Sequence, residues 1–137
     1  MDETLKGIRV LVVEDDDDTR ELLRVLLETH GSVVTAAASV QEALTEYDRS
    51  RPDVIVADIG MPDYNGYALI GRVRARERGG NIVPAIALTA FTTATDRDTT
   101  LSAGFQVHMP KPFEPGRLVS VISELAQQYG QSKSNRG

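Results

Sequence analysis

The chain has 137 residues, 41% of them hydrophobic and 26% charged, which suits one compact domain with a single core. Its formal net charge of −5 disfavours non-specific binding to nucleic acid or anionic lipid, so neither is expected as a partner. The absence of cysteine excludes disulfides, and neither a signal peptide nor a bilayer-spanning apolar stretch is present, so a cytoplasmic protein is expected.

The first part of the chain alternates apolar runs with amphipathic segments. A capping box over residues 18–21 predicts the start of a first helix, and Gly31 predicts its end. A second capping box over residues 39–42 predicts another helix, which stops before Pro52. The strands predicted here span residues 8–13 and 33–37.

The same alternation continues through the second part. Residues 67–76 predict a third helix, and the threonine-rich segment 92–103 predicts a fourth helix with a weak apolar stripe. Glu114 and Pro115 open the last helix, because proline is tolerated in a first turn. The strands predicted here span residues 54–57, 82–88 and 105–109.

The resulting βαβαβαβαβα order predicts an α/β fold, with a parallel sheet covered by helices on both faces. Near-continuous apolar strands such as residues 54–57 are typical of such buried parallel sheets. We expect one domain over residues 7–130, with flexible termini at 1–6 and 131–137.

Five chemically reactive residues fall at the ends of predicted strands. Glu14 and Asp15 follow the first strand, Asp58 the third, Thr89 the fourth and Lys111 the fifth. Ligands of open α/β sheets bind at the carboxyl ends of the strands, so all five should meet at one edge. Taken singly, each has an ordinary structural explanation, such as a turn residue or a solvated charge, and only their common register favours a functional site.

The chemistry of this set indicates phosphoryl transfer. Clustered carboxylates repel one another unless they bind a cation, and oxygen ligands with room for water favour Mg²⁺, with the Gly60 carbonyl as a further ligand. Asp58 is then the candidate nucleophile, since carboxylates form acyl phosphates. Lys111 offers a compact positive charge and Thr89 a hydroxyl donor to phosphoryl oxygens. A cis bond between Lys111 and Pro112 is also expected, because X-Pro bonds tolerate it.

These motifs, in this order and spacing, resemble the response-regulator receiver domain of two-component signalling, over about residues 7–129. The resemblance implies a flavodoxin-like, doubly wound, five-stranded parallel sheet of strand order 2-1-3-4-5. The motifs that carry it are Val12–Asp15, Asp53–Pro62, Gly66, Leu88–Ala90 and Lys111–Phe113.

The resemblance also implies functional roles. Asp58 would accept a phosphoryl group from a histidine kinase or a histidine phosphotransfer protein. Mg²⁺ would be bound by Glu14, Asp15, Asp58 and the Gly60 carbonyl. The implied protein is a phosphoacceptor regulator rather than a turnover enzyme, either stand-alone or part of a larger hybrid protein.

Signal output would follow from the same resemblance. Thr89 would move toward the phosphoryl group, and residue 108 would repack; this is an aromatic position in the family and His108 here. His108 is therefore either a switch residue or a half-buried strand residue. The segment 92–103, the fifth strand and the last helix would change their affinity for an unknown downstream protein, with a phosphorylation-dependent dimer as a further possibility. Phe91, beside the site, predicts slow autodephosphorylation.

Two other functions compete with the switch. A hydrolase of the haloacid-dehalogenase kind uses a second aspartate two residues after its nucleophile, where this chain has Gly60. A flavodoxin-like nucleotide binder needs a Gly/Ser/Thr-rich phosphate loop after the first strand, where this chain has the acidic run 14–18. The phosphoacceptor switch agrees best with the sequence.

Overall fold

The computed structural model describes residues 3–59, 66–77, 81–90 and 94–134. Five strands and five helices alternate along the chain, as the hydrophobic pattern predicts. The strands are β1 Arg9–Val13, β2 Val33–Ala37, β3 Val54–Asp58, β4 Ala85–Thr89 and β5 Val107–Pro110. The helices are α1 Asp17–Thr29, α2 Val40–Ser50, α3 Gly66–Arg76, α4 Ala94–Ala103 and α5 Pro115–Ser134.

The strands form one parallel sheet in the order β2-β1-β3-β4-β5, which confirms the predicted flavodoxin-like topology. The order reverses between β1 and β3, and the carboxyl ends of the strands share one edge there. The exposed and partly exposed positions of the sheet are on the outer strands β2 and β5 and at Arg9, the first residue of β1, while β3 and β4 are buried throughout.

Two apolar clusters cover the two faces of the sheet. Alternation along β1 sends Val10 and Val12 toward α1 and α5, and Leu11 and Val13 toward α2 and α3. The apolar cluster on the α2 and α3 side also contains buried Phe105, which precedes β5. Because both faces are covered, apolar side chains fill every position of the central strand β3 except its last, Asp58.

The helix ends differ in part from prediction. The predicted capping box at 18–21 is wrong: Asp16 is the N-cap, and its carboxylate accepts the Thr19 N–H at 2.8 Å and the Thr19 hydroxyl at 2.7 Å. Ser39 caps α2 as predicted, accepting the Glu42 N–H at 3.1 Å. Arg51 ends α2 in the left-handed conformation, with φ of 50°.

Strand and chain ends also differ. β4 begins at Ala85 rather than residue 82, because Pro84 has no N–H to add to the ladder. β5 begins two residues later than predicted, at Val107. The flexible terminus predicted over 1–6 is wrong at Leu5, which is fully buried and donates its N–H to the His30 carbonyl at 2.9 Å. α5 likewise continues to Ser134, beyond the predicted domain end. Within the described ranges, no helix is both long enough and apolar enough to cross a membrane.

Candidate phosphoryl-transfer site

The sheet register brings the predicted site residues to one edge. Asp58 ends β3 beside Leu88 of β4, and Thr89 ends β4 beside Pro110 of β5. Glu14 directly follows β1, and its N–H donates to the Ala37 carbonyl at 3.0 Å, which extends the β1–β2 ladder by one bond. The chain therefore delivers its acidic, hydroxyl and cationic groups to the carboxyl ends of neighbouring strands, as predicted.

Two buried carboxylates face one lysine at the centre of this edge. Glu14 is 1% exposed and Asp58 is 6% exposed. The Lys111 ammonium donates to Asp58 Oδ2 and lies 3.4 Å from Glu14 Oε1. Two carboxylates and one ammonium leave an excess of one negative charge in a poorly solvated place, which is costly unless a proton or a cation joins them.

The protonation of this cluster reflects that excess. Burial, together with the side-chain hydrogen bond to Asp58, raises the pKa of Glu14 from 4.5 to about 7. Burial opposes the charge on Lys111, but its hydrogen bond to Asp58 and the charges of both carboxylates outweigh burial and raise its pKa. Near neutral pH the lysine is thus charged, and the Glu14 carboxyl gains or loses its proton.

The segment after β1 is fixed by α1. Arg20 donates through Nη1 to the Glu14 carbonyl at 2.9 Å and to the Asp15 carbonyl at 3.4 Å. Glu14 Oε2 accepts the Asp16 N–H at 3.1 Å. The sequence analysis did not identify Arg20 as a positioning residue. The one signal for its contacts with the Glu14 and Asp15 carbonyls is its position in the first turn of the helix that follows the acidic run.

Part of the predicted metal-ligand set is assembled here. The described residues contain no group of three acidic or histidine side chains close enough to hold one metal ion, and Asp15 is exposed. Glu14 and Asp58 nevertheless fit Mg²⁺, because this ion commonly binds through one or two carboxylates and keeps several waters. Gly60, the fourth predicted ligand, and Phe91 lie outside the described residues.

The remaining predicted residues line the β4–β5 side. Thr89 is fully buried, and its carbonyl accepts the Lys111 N–H at 2.8 Å. His108 is half-buried in β5 and pairs with Ala87 of β4. Ala87 lies two residues before Thr89 on the same strand. The Lys111–Pro112 peptide bond is cis, as expected. Whether His108 or Thr89 moves during signalling stays a prediction.

The chain matches the family model described as the response regulator receiver domain over residues 10–123. It is 44% identical over 127 residues to an uncharacterized 14.6 kDa protein of Leptolyngbya boryana, covering 93% of both chains. It is 35% identical over 135 residues to the transcriptional regulatory protein PrrA of Mycobacterium tuberculosis, covering 98% of this chain and 57% of that protein. The chain thus spans little more than half of the regulator.

Solved structures agree with the sequence matches. A putative response regulator from Chloroflexus aurantiacus superposes with a TM-score of 0.80 at 33% identity, covering 89% of this chain and 99% of that one. The chemotaxis response regulator CheY4 of Vibrio cholerae superposes with a TM-score of 0.78 at 28% identity, covering 86% of this chain and 98% of that one. Both chains have close to the length of this domain.

Proposed function

Since the chain belongs to the response regulator receiver family, we propose that Asp58 is its phosphoacceptor and that the phosphoryl donor is a histidine kinase or a histidine phosphotransfer protein. One observation carries the proposal: Asp58 is buried at the carboxyl edge of the sheet beside Glu14 and in contact with Lys111. An aspartate with only a structural role would not need a second buried carboxylate next to it.

The reaction uses Asp58 as a nucleophile. A carboxylate oxygen of Asp58 attacks the phosphorus, the bond from phosphorus to the donor imidazole nitrogen breaks, and that nitrogen retains the electron pair and takes a proton. Bound Mg²⁺, held by Glu14 and Asp58, would neutralise charge on the transferring group. Lys111 stays within reach of the aspartyl oxygens and offers its ammonium to the incoming phosphoryl oxygens.

An exposed apolar surface lies beside this edge of the sheet. Leu22 and Val25 lie three residues apart on one face of α1 and are 61% and 48% exposed, so they form an exposed apolar patch. A cavity of about 510 Å³ next to them is lined by Leu26, Lys111 and Phe113. We propose that an apolar helical face of the donor covers this surface, because Lys111, which contacts Asp58, lines the cavity and a partner seated there lies next to the acceptor.

Output follows on the other side of the site. Phosphorylation adds about −1.5 to −2 charge. The Thr89 hydroxyl then turns to the phosphoryl oxygens, and α4, β5 and α5 change their affinity for a downstream protein or for a second copy of the chain. His108 in β5 is the proposed repacking residue. In this scheme the protein is a regulator that carries out self-phosphorylation and slow autodephosphorylation, and not a turnover enzyme.

Intact-mass spectrometry after incubation with acetyl phosphate tests the proposal. We expect one phosphoryl adduct in the wild-type chain and none in Asp58→Asn. Asp18→Asn is the control, because Asp18 is an exposed residue of the acidic run 14–18, and it should be labelled like the wild type. Chelation of Mg²⁺ should abolish the adduct. Labelling that persists in Asp58→Asn would refute the assignment. So would a wild-type chain that is labelled neither by acetyl phosphate nor by a phosphorylated histidine phosphotransfer protein.

A further inference from the structure

A second cavity lies at the opposite, amino-terminal edge of the sheet. It has a volume of about 480 Å³, within the roughly 300–1,000 Å³ range of small-molecule sites. Arg9 at the start of β1, Arg51 at the end of α2 and Arg76 at the end of α3 line it, together with Glu77 and Asn81. None of these residues belongs to the phosphoryl-transfer site.

The cavity is cationic in a chain whose net charge is −5. The guanidinium groups of Arg9 and Arg51 have no ion-pair or hydrogen-bond partner among the described residues. Arg76 donates to Asp48 at 3.1 Å, but that carboxylate is 58% exposed and so only weakly bound.

The carboxylates nearby are already engaged. Glu77 pairs with Arg74 and accepts the Val83 N–H at 2.8 Å. Asp53 accepts the Arg9 backbone N–H at 2.9 Å. With Asp48, which pairs with Arg76, they make three carboxylates against the four arginines Arg9, Arg51, Arg74 and Arg76. One positive charge therefore remains uncompensated and makes the cavity attractive to an anion.

Arg51 occupies a backbone position that disfavours it. Its φ of 50° lies in the left-handed region, which costs an arginine about 1–2 kcal/mol and a glycine almost nothing. A glycine there would end α2 equally well. Helix termination alone thus does not favour an arginine at this position, and the side chain lines the cavity.

Asn81 supplies an independent sign of a ligand. Its side-chain oxygen is buried and has no hydrogen-bond donor within the described part of the chain. Such an oxygen costs about 1–3 kcal/mol when left unpaired, and rotation of the Asn81 amide toward the cavity would let a hydroxyl or amino group of a bound molecule satisfy it. The arginines require anionic oxygens, whereas this oxygen requires a donor.

We propose that this cavity binds a small phosphate ester that also carries hydroxyl groups, of the size of a sugar phosphate or a mononucleotide. The phosphate is bound by the forked guanidinium groups of Arg9 and Arg51, which suit phosphate oxygens geometrically. A hydroxyl of the same molecule donates to Asn81. The site lies across the sheet from Asp58 and does not depend on phosphorylation of Asp58.

Isothermal titration calorimetry on the full chain tests this, with EDTA present so that Mg²⁺-dependent binding near Asp58 cannot contribute. The probes are ribose 5-phosphate, adenosine monophosphate, inorganic phosphate and ribose. We expect saturable binding of at least one ester with a Kd below about 1 mM, weaker binding of inorganic phosphate, and none of ribose. The two esters distinguish a sugar-phosphate from a nucleotide ligand.

Variants separate a built site from general charge. Arg51→Gly suits the left-handed backbone, so the fold is retained, and it should weaken ester binding by about tenfold to a hundredfold, the effect of one charge-assisted hydrogen bond. Arg49→Ala, from the same helix with a 74% exposed side chain, should leave affinity unchanged. Asn81→Ala should abolish the preference for esters over inorganic phosphate.

Several outcomes would overturn the proposal. Neither ester reaching saturation would do so, as would equal affinity in the wild-type chain and Arg51→Gly. An acidic hexapeptide of glutamate that binds in place of the esters would identify the cavity as a protein-docking site instead. Each of these results leaves the phosphorylation of Asp58 untouched, because acetyl phosphate labelling is measured separately.

Discussion

The ammonium of Lys111 donates to the carboxylate of Asp58, joining residues 53 positions apart across the edge of the sheet. This contact compensates one of two buried negative charges, and Glu14 remains within 3.4 Å of the same ammonium. A cation of the protein itself therefore links the two carboxylates of the site. Removing the positive charge and removing one negative charge should therefore change the free energy of unfolding in opposite directions.

Lys111→Met should destabilise the fold. It leaves Glu14 and Asp58 facing each other with no compensating charge, and we expect a loss of about 1–3 kcal/mol in the free energy of unfolding at pH 8 without Mg²⁺. Asp58→Asn removes the excess negative charge and should stabilise the chain by about 1 kcal/mol under the same conditions. Urea denaturation measures both.

Lys6→Met serves as the control, because that side chain is 74% exposed and pairs only loosely with Glu3 at 3.9 Å. Its free energy of unfolding should match the wild type. A Lys111→Met chain as stable as Lys6→Met would show that the lysine contributes nothing to the resting site. An Asp58→Asn chain less stable than the wild type would contradict the excess of negative charge.

Stability should also depend on pH through Glu14. Its folded-state pKa is raised to about 7 from 4.5, so the folded chain binds more protons than the unfolded chain between these values. The free energy of unfolding should therefore fall as pH rises from 4.5 to about 7, by up to about 3 kcal/mol, and then level off. Glu14→Gln should remove this slope.

Mg²⁺ provides the complementary measurement. It binds the deprotonated pair, so its stabilisation of the chain should be small at pH 6 and larger at pH 8. Thermal unfolding at both pH values, with and without Mg²⁺, records the difference. An equal shift at pH 6 and pH 8, or an equal shift in Glu14→Gln, would argue against a carboxylate pair that competes with protons for the ion.

The site was largely predictable because the hydrophobic pattern locates the carboxyl ends of the strands. Four of the five apolar runs are followed by a reactive residue, and parallel topology carries those four ends to one edge. Asp58, Glu14, Thr89 and Lys111 needed no knowledge of longer-range contacts to be placed there. The order of the strands, in contrast, was implied by family resemblance rather than by periodicity.

The details that failed depend on contacts without a local pattern. In a run of five acidic residues the sequence does not show which one is the N-cap of α1. The N-cap is Asp16, because its carboxylate accepts both the N–H and the hydroxyl of Thr19. Arg20 contacts backbone carbonyls five and six residues away, and Leu5 packs into an apolar cluster while its N–H donates to the His30 carbonyl. Sequence spacing alone does not encode such side-chain reach.

Arg74 connects α3 to two other segments at the amino-terminal edge of the sheet, the one before β4 and the one before β5. It donates to the Gly104 carbonyl at 2.8 Å, the Val83 carbonyl at 2.7 Å and Gln106 Oε1 at 2.8 Å. Arg74→Met leaves these acceptors short of a donor, and we expect a loss of about 2–4 kcal/mol in the free energy of unfolding by urea.

Arg72→Met is the matched control, an exposed arginine on the same helix. It should unfold like the wild type. Arg74→Lys keeps the charge but not the planar fork, so its stability should fall between those of the wild type and Arg74→Met. Equal stability of Arg74→Met and Arg72→Met would show that the Arg74 contacts are not made in solution.

The described part of α4 has few attachments to the domain, which bears on its role in output. Among its described side chains Thr100 alone is fully buried, and it meets the Tyr67 hydroxyl of α3 at 3.3 Å. By comparison, α5 buries Leu118, Val119, Ile122 and Leu125. Helices with few buried apolar contacts open at low free energy, so amides of α4 should exchange with deuterium faster than those of α5.

Tyr67→Phe sharpens this prediction by removing one hydroxyl and keeping the ring. Loss of the Thr100 contact should lower the opening free energy of α4 by about 0.5–1.5 kcal/mol, and speed its exchange while that of α5 stays unchanged. Uniform exchange across α4 and α5 in the wild type would count against α4 as the movable element. If Tyr67→Phe accelerates both helices together, the hydroxyl stabilises the whole domain and does not specifically attach α4 to α3.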